Sequence, residues 1–265
     1  LAIVSPKPQS TRDRVVGILS TADTQMVLFD TPGLLEPRYA LQKAMRGAAL
    51  DALNDADVIL HLVDAAEDRV VSLVEAAGLE RPPRAPVILA LNKADLLTPG
   101  RREELQGQHP GARFISAASG EGIDELLATL GTMLPESPFL YPEDEISTQT
   151  VRFFVSEMIR ETALEQLDDE VPYSVACEIE EFRESGTPVY IRAVIHVERE
   201  SQKGIMIGAK GARIREIGAK SRAKIEAFVG SPVYLDLRVK VLPNWRKNAQ
   251  ALRRFGYRLP GESTS

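Results

Sequence analysis

The sequence predicts two unlike domains: an α/β half built on a parallel sheet, then a smaller α+β module. Three observations predict it. Apolar runs alternate with helical stretches through the first half, and each run stops at a polar residue. The alternation breaks at LPESPFLYPEDEISTQT, which begins at Leu134 and holds three prolines and an acidic cluster. Beyond it come strands of alternating pattern and a glycine-punctuated loop that feeds a basic helix. The expected division is 1–134 for the first domain, 135–150 for a linker, 151–258 for the second domain and 259–265 for a tail.

In order, Gln25 to Phe29 reads as a strand and Leu41 to Asn54 as a helix. Val58 to Val63 is a strand ending at Asp64, and Val70 to Ala77 is helical. Pro86 to Leu91 is a strand ending at Asn92. Arg113 to Ile115 is a short strand ending at Ser116, and Gly122 to Leu134 is an amphipathic helix. Apolar strands alternating with helices mean a parallel sheet covered on both faces, and all four strands are assigned to it. The polar residues all follow strands, and in open α/β sheets that edge is where ligands bind. In the second domain Val151 to Leu167 is helical. Tyr173 to Phe182 and Val189 to Val197 are strands joined at Glu184-Ser185-Gly186. Val233 to Leu242 is a third strand, and Trp245 to Phe255 a final short helix.

Composition narrows the classes. The 265 residues are 44% hydrophobic and 26% charged, as in a folded domain pair. No run approaches the roughly 18 apolar residues of a membrane span. One cysteine, Cys177, excludes an internal disulfide framework and fits a reducing cytosol. Three scattered histidines offer no zinc spacing. The net charge of -6 argues against nucleic acid as a partner of the whole chain, but it conceals a local basic segment.

Asn92-Lys93-Ala94-Asp95 follows a buried strand. A carboxylate there accepts two hydrogen bonds, from guanine N1–H and the N2 amine, and adenine offers no such pair. This readout rejects analogues because the acceptor would be left unpaired. Asn92 ties loops together, and the Lys93 stem covers the base plane. Asp30-Thr31-Pro32-Gly33 is a D-x-x-G strand end: Asp30 holds a magnesium ion through water, and the Gly33 N–H meets a γ-phosphate. The bland alternative is a strand-to-turn junction. Backbone N–H groups of Ser116-Ala117-Ala118 are placed to meet guanine O6, and the Thr11 hydroxyl to complete magnesium coordination. Four elements in one order make a guanine-nucleotide fold the joint reading. G-x-x-x-x-G-K-[ST] does not occur. Gly218-Ala219-Lys220-Ser221 is only a decoy inside a helix. A strand, phosphate loop and helix, on the order of 30 residues, are expected before Leu1, and the chain without them is expected to bind nucleotide poorly. Leu34, just after D-x-x-G, cannot orient water, so no catalytic residue is assigned.

Gly208-Ala209-Lys210-Gly211 is a G-x-x-G loop before a helix. Without Cβ atoms at its ends it lets a nucleic-acid backbone approach, and the helix start offers N–H donors. The basic residues around it include Lys210, Arg213, Arg215, Lys220 and Arg222, with Glu216 the only acid between Lys203 and Lys224. A solvated helix face is the alternative. Ile207, Ile214 and Ile217 face the core or line a base groove. Glu143-Asp144-Glu145 and Asp168-Asp169-Glu170 solvate the linker and a helix end. Trp245 either packs with a basic rim, the reading preferred here, or stacks on a base.

DTPGL (Asp30 to Leu34), NKAD (Asn92 to Asp95), SAAS (Ser116 to Ser119), PQSTR (Pro8 to Arg12), GIMIGAKGARIREIG (Gly204 to Gly218) and VKVLPNWRKN (Val239 to Asn248) together resemble the Era family of GTPases. The resemblance covers essentially the whole chain. It implies a P-loop GTPase domain followed by a type II KH domain, with GTP or GDP and Mg2+ as cofactors. It implies GTP contacts from Asp30, Thr31, Pro32, Gly33, Leu34, Asn92, Lys93, Ala94, Asp95, Ser116, Ala117 and Ala118, and Mg2+ held at Thr11 and Asp30. It also implies RNA contacts from Ile207, Gly208, Ala209, Lys210, Gly211, Arg213, Arg215, Lys220 and Arg222. The partner implied is the 3′ end of small-subunit ribosomal RNA during maturation of the small ribosomal subunit, with no DNA. The place implied is the cytoplasm, with some peripheral membrane association. Two departures stand out: the absent phosphate loop, and Ala209 and Ala212 where a lysine- and glycine-rich stretch is expected. A competing reading is an RNA-binding assembly factor whose nucleotide domain is only a scaffold. A tRNA-modification GTPase lacks the C-terminal KH module, so the G-x-x-G loop argues against it.

Overall fold

The computed structural model describes residues 10–167 and 171–259. Pro8 and Gln9 of the PQSTR stretch and the Asp168-Asp169-Glu170 run lie outside them. Contacts divide the chain into two compact units. One takes in the described residues up to Gly17, 28–48 and those from Ile146 on; the other takes in 18–27 and 49–145. The grouping is not the linear one expected from the sequence, since two early segments group with the second domain.

The strands and helices run β1 (Val15–Ser20), β2 (Gln25–Asp30), α1 (Ala40–Asp55), β3 (Ile59–Asp64), α2 (Leu73–Ala77), β4 (Val87–Asn92), α3 (Pro99–Gln108), β5 (Arg113–Phe114) and α4 (Ile123–Met133). They continue with α5 (Val151–Glu165), β6 (Ala176–Arg183), β7 (Val189–Val197), α6 (Glu200–Ile207), α7 (Ala212–Val229), β8 (Val233–Val241) and α8 (Ala249–Arg254).

β3, β4 and β5 form a parallel sheet in that order. Contrary to expectation, β2 is not in it: it forms a separate two-stranded sheet with β1. Only Thr21 to Thr24 separates the two strands, closed by Thr21 N–H on Thr24 O at 2.8 Å. Four residues allow a hairpin, whereas a parallel neighbour needs a crossover of about a dozen residues. The sequence reading missed β1, α3 and α6. α3 is polar apart from Leu105, which is buried against Ala65 and Leu91. It is started by Thr98, whose hydroxyl accepts from Arg101 N–H.

The parallel sheet packs Ile88 and Ala90, with Ile115 just past β5 and Met26 of β2, against Leu126 and Leu130 of α4. Register pairs Asp64 with Asn92, so both polar residues stand at one sheet edge. The stretch expected as a linker makes hydrogen bonds toward both of its ends. Gln25 Oε1 accepts from Leu140 and Tyr141 N–H at 2.9 and 3.0 Å. Further along, the Ser147 hydroxyl donates to Val16 O, and Gln149 Oε1 accepts from Val16 N–H at 3.1 Å.

In the sheet β6-β7-β8, β6 and β7 are antiparallel and β7 and β8 parallel. Val189, Ile191, Ala193, Ile195 and Val197 alternate along β7 into the main core, against Val155 and Ile159 of α5 and Ile217 and Ile225 of α7. On the opposite face Val194 and His196 are buried, and the Phe255 ring lies 5.2 Å from His196. Tyr190 and Arg192, on the same face, are only partly covered. A second cluster joins Leu41 and Met45 of α1 to Trp245, Leu252 and Ala176, with Leu259 packed on it. No described helix is long and apolar enough to cross a membrane.

Candidate functional site

The loop after β4 is braced on every side except one. Asn92 Oδ1 accepts from Ala117 N–H at 2.9 Å, which ties this loop to the one after β5, as expected of that asparagine. Ala94 N–H donates to Ile115 O at 3.0 Å. Lys93 takes a left-handed backbone, φ 65°, and its ammonium reaches Asp64 at 2.5 Å. The Asp64 hydrogen bond raises the Lys93 pKa. Burial pushes Asp64 up, but the Lys93 and Ala66 hydrogen bonds outweigh it and its carboxyl sits below the usual range. Asp95 is exposed, and its carboxylate has no partner among the described residues. A rigid loop thus offers one free pair of acceptor oxygens.

The third loop is closed on itself. Ser116 is fully buried, with its N–H on Glu121 O and its hydroxyl accepting from Ser119 N–H at 3.1 Å. Gly122 has φ +72°, and a Cβ there would stand 2.4 Å from Phe114 O, so only glycine turns this corner. The Ala117 N–H is already taken by Asn92, while the Ala118 N–H has no partner among the described residues. This loop is therefore a frame for the Asn92 loop as well as a donor.

At the end of β2 the Thr11 hydroxyl lies 3.2 Å from Asp30 Oδ2, the juxtaposition the sequence predicted for a shared cation. Partial burial raises the Asp30 pKa and the Thr11 bond lowers it, with burial prevailing. Pro32 is buried, Thr31 and Leu34 are half-buried and Gly33 is exposed. A Cβ at Gly33 would meet nothing, so no neighbouring protein atom requires glycine there. No cluster of three or more His, Cys, Asp or Glu among the described residues forms a metal cage. A hydroxyl and one carboxylate suit Mg2+, which takes few protein ligands and keeps waters and substrate phosphates.

The residues flanking Thr11, expected only as part of the PQSTR stretch, have buried partners that the sequence does not show. Arg12 is buried and donates to Val175 O at 2.5 Å and Tyr173 O at 3.2 Å, with its guanidinium 5.8 Å from the Trp245 ring. Buried Arg160 of α5 donates to Ser10 O at 2.7 Å and pairs with Glu157 at 2.5 Å. Burial pulls the Arg160 pKa down, but the Glu157 charge outweighs it. The sequence carried a weak signal: Glu157 and Arg160 stand three apart on the helix, the spacing of an ion pair.

The G-x-x-G loop joins α6 to α7. Gly208 has φ +71°, and a Cβ there would lie 2.8 Å from Arg213 Cβ and 3.0 Å from its backbone N. Gly211 has φ +75° and Lys210 φ 49°. The arginines expected to hold RNA also brace the loop: Arg213 donates to Ile205 O at 2.9 Å and Arg215 to Lys210 O at 2.8 Å. Lys220 pairs with Glu216 at 2.8 Å, and Arg222 lies 3.9 Å from Glu226. Lys210 and Ala209 are exposed, and the Lys210 ammonium has no partner among the described residues. Ile217 is core, whereas Ile207 and Ile214 are half-buried beside the loop. Trp245 is fully buried and donates to Ser174 O at 2.8 Å, which excludes base stacking and supports the packed reading.

Comparison with known proteins accords with this geometry. Residues 1–93 match a family described as 50S ribosome-binding GTPase, and residues 170–246 match the KH domain family. GTPase Era of Carboxydothermus hydrogenoformans is 38% identical over 97% of this chain and 89% of its own length. GTPase Era of Rippkaea orientalis is 39% identical over 98% of this chain and 85% of its own. A crystal structure of Era with MgGDPNP and nucleotides 1506-1542 of 16S ribosomal RNA matches at TM-score 0.89 and 37% identity, over 97% of this chain and 90% of that one. A tyrosine-to-alanine variant of Aquifex aeolicus Era bound to GDP and AlF4- matches at TM-score 0.88 and 37% identity, over 98% of this chain and 91% of that one.

Proposed function

Because the chain belongs to the Era family of GTPases, we propose that it binds the 3′ end of small-subunit ribosomal RNA through its KH module and assists maturation of the small ribosomal subunit. GTP binding and hydrolysis are the switch. Asp95 reads the guanine, held by the Asn92–Ala117 tie; Thr11 and Asp30 hold Mg2+, and the space at Gly33 admits a γ-phosphate. When bound, the ion neutralises charge on the phosphates. Lys210 and the two glycines clamp the RNA backbone. The relatives support this assignment: Era structures carry MgGDPNP with 16S ribosomal RNA, or GDP with AlF4-. The reading extends to the cytoplasm and to peripheral contact with the membrane's cytoplasmic face.

The observation that carries the proposal is one chain holding both a free, braced Asp95 carboxylate and a G-x-x-G loop at which a Gly208 Cβ would clash. The test is GTP and RNA titration of the protein at its full coding length. Saturable GTP binding, GTP hydrolysis and tighter binding to the RNA 3′ end than to an unrelated strand are the expected results. RNA binding indifferent to GTP, with no hydrolysis, would make the nucleotide domain a scaffold.

A further inference from the structure

The open half of the β6-β7-β8 face carries side chains that neither the nucleotide loops nor the G-x-x-G loop uses. Tyr190 of β7 and Tyr234 of β8 are direct register partners. Their rings stack at 5.8 Å, inclined by 11°. The Arg183 guanidinium lies 4.3 Å from the Tyr190 ring centroid. Arg192 donates to the Tyr190 hydroxyl at 2.9 Å and to Asp236 Oδ2 at 3.2 Å, and Arg238 donates to the same oxygen at 2.9 Å. Tyr190 is therefore held by Arg183 and Arg192. Tyr234, 60% exposed, remains as an open ring resting on that support.

A fully exposed tyrosine normally has rotamer freedom to lose on binding; one already stacked on a held neighbour has less. Immediately around the rings three guanidiniums, Arg183, Arg192 and Arg238, stand against two carboxylates, Glu181 and Asp236, while Lys240 and Glu180 further along the face pair with each other. An aromatic face with cationic surroundings is the chemistry that holds an unpaired base and its phosphate. The patch is separate from the G-x-x-G loop. Gly211 starts α7, Tyr234 follows its far end, and 18 helical residues span roughly 27 Å. β8 also packs against α6 and α7, the helices flanking the loop, so one strand of RNA crossing this edge strand reaches both places.

We propose that Tyr234, backed by Tyr190 and Arg183, is a second RNA subsite that stacks a base of single-stranded RNA beyond the segment clamped by the G-x-x-G loop. It rests on the KH reading above. The test compares a tetranucleotide, the length a G-x-x-G loop clamps, with a mixed-sequence strand of about twelve nucleotides. Tyr234→Ala should weaken the long strand roughly 5- to 100-fold, the range for one lost base stack, and leave the tetranucleotide unchanged. Tyr234→Phe should bind the long strand like the parent, and the melting temperatures of both variants should stay near the parent's. Unchanged long-strand affinity in Tyr234→Ala overturns the subsite, as does equal weakening of both strands or a Phe variant as weak as the Ala one. Gly208→Asp separates the two claims: if it leaves tetranucleotide binding intact, the KH reading fails and the subsite with it. If it abolishes that binding while Tyr234→Ala changes nothing, only the subsite fails.

Discussion

Two loops in this molecule place a lysine in left-handed backbone, and they use it in opposite ways. In the loop after β4, Lys93 turns back to Asp64, Asn92 holds Ala117, and the Asp95 carboxylate is left exposed with no partner among the described residues. In the G-x-x-G loop, Arg213 and Arg215 hold the backbone from the helix side, and Lys210 is left free with glycine on either end. The first loop immobilises its cation and exposes an acceptor; the second immobilises its neighbours and exposes a cation and bare backbone. Reading a base edge needs one fixed acceptor, because discrimination comes from an unpaired buried group in the wrong complex. Clamping a phosphodiester needs charge and close approach, with no base named. The contrast can be broken at four points.

The largest effect is expected at the acceptor. Asp95→Asn swaps half of an acceptor pair for a donor, so GTP affinity should fall roughly 100-fold or more while xanthine nucleotide gains. Folding should be unaffected, since Asp95 is exposed and unbonded in the described structure. Competition titrations with the two nucleotides read the switch, and unchanged preference for GTP would remove the base-reading role.

Next is the backbone approach. Gly208→Asp puts a Cβ against Arg213 at φ 71° and ψ 175°, a backbone region kept almost entirely by glycine, at a strain of about 1–3 kcal/mol, and adds a negative charge facing phosphate. RNA affinity should fall roughly tenfold or more. Gly208→Ala keeps the strain without the charge and should fall between the two, and fluorescence titration at fixed salt ranks them. Equal affinity in all three would mean that RNA does not approach here.

The bracing is worth less than what it braces. Asn92→Ala leaves the Ala117 N–H without its acceptor, at a cost of about 1 kcal/mol, and guanine-nucleotide affinity should drop roughly fivefold. A drop as deep as that of Asp95→Asn would mean that Asn92 itself touches the nucleotide.

These residues differ in how far the sequence exposed them. NKAD and G-x-x-G were legible because their chemistry demands residue types at adjacent positions, whatever the rest of the fold does. The parallel strands were legible from apolar runs between helices. β2 was assigned to the wrong sheet because β1, VVGILS, lacked a flanking signal and its partner is set by a four-residue turn. Arg12 was illegible for a different reason. Its acceptors, the carbonyls of Tyr173 and Val175, lie more than 160 positions away and carry no side-chain signature. Gln25, Ser147 and Gln149 likewise act on backbone far along the chain, so their bonds appear only once the fold exists. Trp245 was read correctly as packed because a tryptophan followed by Arg246 and Lys247 fits a buried ring with a charged rim.

The smallest effect tests the comparison most directly. Glycine at either lysine removes left-handed strain of about 1 kcal/mol, but the two losses differ. Lys210→Gly gives up no bond within the fold, so the protein should melt at or slightly above the parent temperature. Its RNA affinity should fall modestly and uniformly across sequences, with the salt slope reduced by about one. Lys93→Gly loses the ion pair with Asp64, and its melting temperature should change less than that of Lys210→Gly. The pH dependence separates them further. Lys93 holds the Asp64 carboxyl below its ordinary range, so the folded state binds that proton less readily than the unfolded chain. This contribution is present above the unfolded carboxyl value of about 4 and is lost as pH falls through the lower folded value. Parent and Lys210→Gly should therefore lose stability together across that acid window, while Lys93→Gly should show a shallower loss. Parallel acid profiles for all three would mean that the Lys93 ammonium is not spent on Asp64 in solution, and the two loops would then present their lysines alike.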